Sequence, residues 1–267
     1  MNSKKNILAA PYVIWSAVFI VIPLCMILYY GLTDKTGAFT LENIAAIASI
    51  GHARALWRSI LLSVISTVIC FLLAYPLAMI LAGKKGRSGG FIILLFLLPM
   101  WMNFLLRTLA WQTLLEKTGV INGVLSFLGL PPLRIINTSY AIVLGMVYNF
   151  LPFMVLPLYN ALSKIDENVI NAAKDLGANR IQTFFRVILP LSVPGIISGI
   201  TMVFVPALTT FVISTLLGGS KVLLIGNVIE QEFTQASNWH LGSGLSMVLM
   251  IFIVINMIIT ALFEKDE

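Results

Sequence analysis

Apolar residues along this chain come in long unbroken runs, not in the alternations or narrow stripes of a water-soluble fold. Six runs, over residues 8–30, 57–82, 91–114, 139–161, 193–217 and 243–263, match the ~20 residues an α-helix needs to cross the hydrocarbon core. Lipid offers no partner to backbone N–H and C=O groups, so only helices and closed barrels span it. Continuous runs exclude the alternating pattern of barrel strands. The pattern predicts an all-α integral membrane protein of six transmembrane helices. Residues 41–50 (LENIAAIASI) are too short to span and predict an interfacial or extracytoplasmic helix. The first run ends in Tyr29-Tyr30-Gly31-Leu32, not in a small-residue cleavage site, and is read as a retained span. Pro23, Pro76, Pro99, Pro152, Pro157 and Pro206 punctuate the runs; each removes a backbone donor and tends to bend a helix.

Composition narrows the class. The chain is 59% apolar and 10% charged, against roughly 25% charged in soluble domains. Its length of 267 residues fits one membrane domain. The net charge of +6 is dispersed through short loops, which points to membrane orientation and not to nucleic acid. Cys25 and Cys70 fall inside apolar runs, as small hydrophobes do. His52 and His240 are the only histidines, and no metal-ligand spacing exists. No phosphate-loop pattern is present, and Gly83-Lys84-Lys85 is only a basic turn. The expectation is a non-enzyme that binds no nucleotide, cofactor or metal itself.

Lys and Arg set the orientation. Lys4 and Lys5 precede the first run, and Lys84, Lys85 and Arg87 crowd the loop after the second. The positive-inside rule places these segments, and both termini, in the cytoplasm of a multi-pass plasma-membrane protein. Loop 162–192 then lies on the same side.

That loop reads SKIDENVINAAKDLGANRIQTFFRVILPLS. Asp166 is placed to cap a helix and Glu167 to complement its dipole. Val169, Ala172, Ala173 and Leu176 recur at helical spacing as one apolar face. Gly177 suits a left-handed C-terminal cap, and Asn179 begins a second helix with Ile181, Phe184, Phe185 and Ile188 on its face, ended by Pro190. The expected form is a helix–Gly–helix elbow. A first helix this short is marginal in water, so its apolar face lies either on its own membrane domain or on a partner.

From Asn171, Ala172 and Ala173 through Gly177, then nine residues to Val187, Leu189 and Pro190, the loop resembles the EAA motif (E-A-A-x3-G-x9-I-x-L-P) of ABC importer permeases. Asn171 stands where the family has Glu, and Val187 where it has Ile. The resemblance implies a type I importer permease (MetI-like) fold, with this segment as the helix that couples to an ATPase subunit. The runs Pro99 to Arg107 (PMWMNFLLR), Val147 to Tyr159 (VYNFLPFMVLPLY) and Gly218 to Phe233 (GGSKVLLIGNVIEQEF) are similar to the polyamine (spermidine/putrescine) branch of that family. This implies a first span and extracytoplasmic loop over 1–56 and a permease core over 57–263 carrying the coupling loop 162–192. It also implies a heterodimer with a second permease, two ATPase subunits that bind ATP and Mg, and an extracytoplasmic solute-binding protein, all assembled in lipid without nucleic acid.

No Asp or Glu lies within the six runs. The candidate solute path is therefore sought among Trp101, Asn103, Arg107, Tyr148 and Asn149, where aromatic faces and carbonyls can pass a polyamine without carboxylates. Other readings stand beside this one: Arg107 snorkelling to the interface, and Trp101 and Trp111 as interfacial aromatics. Glu230 and Glu232 belong to a short gate helix, to a binding-protein contact or simply to a solvated loop. The rival functions are an importer for sulfate, phosphate or iron, a secondary transporter, and a membrane enzyme. No inverted repeat and no nucleophile–base set supports the last two.

The orientation is directly testable. In a background lacking Cys25 and Cys70, Ser88→Cys and Asn179→Cys are expected to resist an impermeant thiol reagent applied to intact cells. Lys221→Cys and Asn238→Cys are expected to react. Labelling of Ser88→Cys from outside reverses the topology.

Overall fold

The structure, a computed structural model, describes residues 11–83, 94, 96–219 and 221–265. Lys4, Lys5, Lys84, Lys85, Arg87 and Ser88, which carry much of the orientation argument, lie outside the described residues. Among the described residues the fold is helical, with a single isolated β-bridge between Thr33 and Phe39. Four helices are long and apolar enough to cross a membrane: Pro11–Gly31, Ile50–Ala82, Ser139–Leu162 and Trp239–Ile258. A bent pair, Arg180–Leu191 and Val193–Thr209, counts as a fifth if it is one span.

The chain divides into two compact units. In the first, α1 (Pro11–Gly31) leaves its apolar side chains exposed and meets the rest of its unit at its C-terminal end. There a Cβ on Gly31 would strike Met247, so glycine permits the approach. The loop that follows is tied by Asn43, whose Nδ2 donates to the Thr33 carbonyl at 2.9 Å and the Gly31 carbonyl at 3.3 Å. The expected short helix appears as α2 (Glu42–Ala45), continued by a 3-10 turn.

The second unit is built on α3 (Ile50–Ala82), α4 (Phe104–Leu115), α5 (Val120–Phe127) and α6 (Ser139–Leu162). At 33 residues, α3 is about 50 Å long, well beyond the ~30 Å hydrocarbon core. Its inward stripe is Ser59, Ser63, Ser66, Cys70, Ala74 and Ala78, all fully buried. α6 is the central post, with Ile142, Met146, Met154 and Leu158 fully buried. The second half of the unit comprises α7 (Glu167–Asp175), α8 (Arg180–Leu191), α9 (Val193–Thr209), α10 (Val212–Gly218), α11 (Ile225–Thr234) and α12 (Trp239–Lys265), of which α11 and α12 extend into the first unit. α9 packs on α6 through Gly195 and Gly199, one turn apart. A Cβ on Gly195 would stand 2.5 Å from the Ala161 Cβ and 2.8 Å from the Pro157 carbonyl oxygen, and one on Gly199 would stand 2.7 Å from the Met154 Sδ. This is the small-residue spacing that lets membrane helices approach closely.

Two expected spans are not continuous helices. The run 91–114 begins outside the described residues and is interrupted at Asn103, which has extended backbone (φ −56, ψ 127) and caps α4. The run 193–217 breaks at Thr210 and Phe211, between α9 and α10. Asn227, 3% exposed, fills that second break. Its Nδ2 donates to the Phe211 carbonyl at 3.1 Å and the Thr215 hydroxyl at 2.8 Å, while its Oδ1 accepts from the Leu224 N–H at 3.1 Å and the Ser214 hydroxyl at 2.5 Å. Gly226 lets this turn sit against the carbonyls of Thr209 and Thr210. Pro190 does not end α8 as expected. The helix runs on to Leu191 and turns by 63° at Ser192. A π turn over Phe184–Ile188 precedes Pro190, as one over Ala17–Val21 precedes Pro23. The widened turn accommodates a ring that would otherwise clash with a carbonyl one turn back.

Two substitutions measure these joints. Asn227→Leu strands several buried polar groups at once, each costing about 1–3 kcal/mol. Gly195→Leu overpacks the α6–α9 contact by about 1–3 kcal/mol. Both are expected to lower the thermal midpoint of the detergent-purified protein. Gly51→Ala, with nothing within 4 Å of the added carbon, is expected to leave it unchanged.

Candidate functional site

The segment between α6 and α9 forms the expected elbow, and local interactions account for its shape. Asp166 caps α7 by accepting from the Asn168 N–H at 2.9 Å. At the other end the Gly177 N–H donates to the Lys174 carbonyl at 2.8 Å and the Ala178 N–H to the Ala173 carbonyl at 3.0 Å, with Gly177 at φ +86. This pair of bonds is a complete Schellman stop. Two residues on, Asn179 and Gln182 form a reciprocal capping box, at 2.8 and 2.9 Å, that starts α8. Stop and start lie within two residues of each other, so the turn between α7 and α8 is made by local bonds.

The elbow presents an apolar surface. Val169, Leu176, Ile181 and Phe185 are exposed, Leu176 at 89%. Asn171 and Ala172 are exposed as well, and Ala173 is half-buried. Behind α7 lies a cleft of about 590 Å³ lined by Met79, Ile165, Asp166, Glu167, Ile170 and Ile188. No residue of α7 is buried. Leu189 is half-buried and Pro190 exposed where the elbow turns into α9. At that joint Ser192 is fully buried, and its Oγ lies 2.8 Å from the Tyr75 hydroxyl. The Tyr75 ring meets Phe184 edge-on at 5.7 Å.

The residues expected along a solute path differ in exposure. Trp101 is 78% exposed. Asn103 is exposed too and spends its side chain as a cap, accepting from the N–H groups of Leu105 and Leu106 at 2.9 and 3.2 Å. Arg107 is 6% exposed, with Nε and Nη1 enclosed and without partners. Asn149 is 1% exposed; its Nδ2 donates to the Gly145 carbonyl at 2.9 Å, and its Oδ1 is enclosed without a partner. Tyr148 meets Trp111 edge-on at 5.2 Å, and Phe150 stacks on Phe104 at 6.4 Å. These two ring pairs hold α4 against α6. Arg107 falls between their α4 members, at i+3 from Phe104 and i−4 from Trp111. An uncompensated buried charge of this kind costs about 3–5 kcal/mol.

Sequence reasoning missed Tyr75, Ser192 and Asn227. The small-residue period of α3 and the Gly195–Gly199 spacing were visible signals of close helix packing. Nothing in the local sequence marks Asn227 as the filler of a break 16 residues earlier.

Comparison with known proteins agrees with this architecture. The family described as "Binding-protein-dependent transport system inner membrane component" matches residues 44–265. The chain is 39% identical over 266 residues to the spermidine/putrescine transport system permease protein PotB of Haemophilus influenzae, covering 94% of this chain and 93% of that one. It is 37% identical over 245 residues to PotB of Escherichia coli, covering 89% of each. The inner membrane ABC transporter permease protein YdcU of Escherichia coli is 32% identical, over 82% of this chain and 74% of that protein. These relatives are transport permeases, not enzymes. Among solved structures, the bacterial alginate ABC transporter superposes with a TM-score of 0.79 at 17% identity, covering 96% of this chain and 91% of that chain. The inward-facing MetNI methionine ABC transporter does so at 0.56 and 18% identity, over 80% and 94%. At these identities the likeness is one of fold. With helices built to cross a membrane and a family match over most of its length, this multi-pass chain belongs to the binding-protein-dependent transport system inner membrane components.

Proposed function

We propose that this chain is a channel-forming subunit of an ATP-driven importer. It passes polyamines, spermidine or putrescine, from an extracytoplasmic binding protein into the cytoplasm by alternating access. The similarity to permeases named for spermidine and putrescine supports the solute class. In this reading the chain pairs with a second permease, and two ATPase subunits bind ATP and Mg. The first span and its loop, 1–56, precede a permease core over 57–263, with both termini in the cytoplasm.

The observation that carries the reading is the exposed apolar surface of a rigid elbow. Val169, Leu176, Ile181 and Phe185 stand on two helices whose angle is locked by a Schellman stop and a capping box. A short helix with such a face gains stability by docking. In this role Asn171, Ala172, Ala173 and Gly177 belong to the coupling helix, and Leu189 and Pro190 to the turn that returns the chain to the membrane. Asn171, exposed, keeps a polar group where the family has Glu.

Selection of the solute falls mainly to the binding protein, because the spans offer no carboxylate. The permease pair without binding protein is expected to bind spermidine only weakly, measured by calorimetry; tight binding contradicts this.

Gly177 and Ala173 test the coupling. A left-handed residue with a side chain costs about 1–2 kcal/mol, less for Asn and more for a β-branched residue. Nothing lies within 4 Å of a Cβ built on Gly177, so the effect there is one of backbone conformation. Gly177→Val and Ala173→Trp are expected to insert normally but to lose both ATPase co-purification and stimulation of hydrolysis by loaded binding protein. Gly177→Asn is expected to retain most of both. Wild-type coupling in Ala173→Trp returns this face to its own membrane domain.

A further inference from the structure

Two spans end at one place in the first unit. α1 runs to Gly31, and α12 begins at Trp239. By these two ends lies a pocket of about 690 Å³, whose lining includes Met26, Tyr30, Lys35, Ser237, Trp239 and His240. Every residue of the lining belongs to that unit. The end of a span marks the boundary between hydrocarbon and water, so the pocket sits at the depth of lipid headgroups. Its walls differ in kind. Tyr30 meets His240 edge-on at 5.3 Å and lies 6.2 Å from Trp239, which meets Phe233 edge-on at 5.5 Å. Rings of Tyr and Trp are enriched in the headgroup layer. Lys35 is exposed, and among the described residues the lining holds no acid. The neighbouring Asp34 is engaged by its own loop: its carboxylate accepts from the Thr36 N–H at 2.8 Å, the Thr36 hydroxyl at 2.6 Å and the Ala38 N–H at 2.9 Å. The His240 Nδ1 lies 2.6 Å from the Thr33 carbonyl oxygen and 3.1 Å from that of Tyr30. Carbonyls only accept, so Nδ1 carries the proton, and the neutral ring offers Nε2 as an acceptor. Ser237 is held at φ +50, a conformation uncommon for a residue with a side chain. Bonds from the Ala236 N–H to the Gln231 carbonyl at 3.0 Å and from the Asn238 N–H to the Glu232 carbonyl at 2.8 Å flank it.

We propose that this pocket binds the headgroup of a phospholipid carrying both a phosphate and a primary amine, as phosphatidylethanolamine does. Lys35 takes the phosphate in a charge-assisted hydrogen bond. The ammonium donates to the His240 Nε2 and lies against the rings of Tyr30 and Trp239. The acyl chains leave past Met26, one turn before Tyr30 on the same face of α1, and along the exposed apolar side chains of that helix. Phospholipid surrounds any membrane helix, so the ligand is already at hand. Other occupants fit less well. A polyamine meets no carboxylate in the lining and is repelled by Lys35. A choline headgroup brings positive charge but no N–H for Nε2. A glycerol headgroup brings a donor but no positive charge for the aromatic rings. The inference rests on the two spans and not on the solute reading.

The test uses the full chain, purified in detergent with the subunits that accompany it. It is titrated with phosphatidylethanolamine, phosphatidylcholine or phosphatidylglycerol, and bound lipid is read by native mass spectrometry. The wild type is expected to hold the ethanolamine lipid about tenfold more tightly than the choline lipid. Lys35→Ala is expected to weaken that binding about fivefold. His240→Asn, whose amide still donates to the carbonyls of Thr33 and Tyr30, is expected to bring the two lipids to equal affinity. Lys117→Ala, a lysine outside the lining, is expected to change nothing. Lys35 is exposed, so its variant reads binding even where His240→Asn fails to fold. Equal binding of the three lipids by the wild type, or unchanged binding by Lys35→Ala, overturns the proposal. A preference for phosphatidylglycerol that Lys35→Ala removes shows a phosphate site without an amine site and overturns it too. Phosphoethanolamine bound from solution as tightly as the lipid assigns the pocket to a soluble ligand. Lipid binding untouched by Lys35→Ala, with capture of the extracytoplasmic binding protein lost, assigns it to that protein.

Discussion

An amide side chain carries the same donor and acceptor as a peptide bond, and three interruptions among the described helices depend on that equivalence. Within a membrane an unpaired backbone group has no water to turn to. Where the helical ladder stops, an asparagine takes its place. Asn103 accepts from the first free N–H groups of α4. Asn122, buried at the start of α5, donates to the carbonyls of Glu116 and Leu133 and accepts from the Leu133 N–H at 2.6 Å. Asn227 does the same work at the α9–α10 break. Non-helical backbone at these points is thus stabilised by specific side chains, and each break has a fixed shape.

The elbow shows the same economy in the opposite setting. Its backbone groups are satisfied by residues within a few positions of one another, from Asp166 to Gln182, so its geometry does not wait on tertiary packing. Its apolar side chains are then free to face outward. Its link to the spans runs through the Ser192 joint, where the 63° turn is braced by the Tyr75 hydroxyl and by the Phe184 ring against Tyr75. Through this contact the elbow is joined to α3, where Tyr75 is the residue before Pro76.

How much was legible in the sequence follows from the range of the interactions involved. The apolar runs announced membrane helices, and the elbow was readable almost residue by residue, because caps act over two to five positions: Asp166, Gly177 and Asn179 stand where their chemistry required. The breaks were not readable. Hydropathy is indifferent to whether a run is one helix or two, and the residue that repairs the second break comes from further along the chain. Asn103 was read as a candidate for the solute path because a polar residue in an apolar run signals burial; its Oδ1 caps a helix, another use of the same side chain. Arg107 was left open between snorkelling and the interior, because hydropathy does not say which side of a helix meets its neighbours. Pro190 looked like a terminator because a proline ring excludes the ordinary α-turn, but not the wider π turn that precedes it.

The face of α3 has a further consequence. Serines, a cysteine and alanines make the stripe itself nearly smooth, and the large side chains buried on the helix, Leu62, Tyr75 and Leu81, stand beside it. α6 is different: at Gly145 and Gly199 the large side chains of Leu217 and Met154 fit against bare backbone, like teeth in a gear. Steric interlock fixes the longitudinal setting of α6, α9 and α10. The setting of α3 is recorded instead in a handful of weak polar contacts spaced along its length, from the Ser59 hydroxyl under the Ile225 N–H, through Ser66 on the Met146 sulfur and Cys70 on the Val147 carbonyl, to Tyr75 on Ser192. Along that stripe the longest helix among the described residues is held by detents more than by cogs.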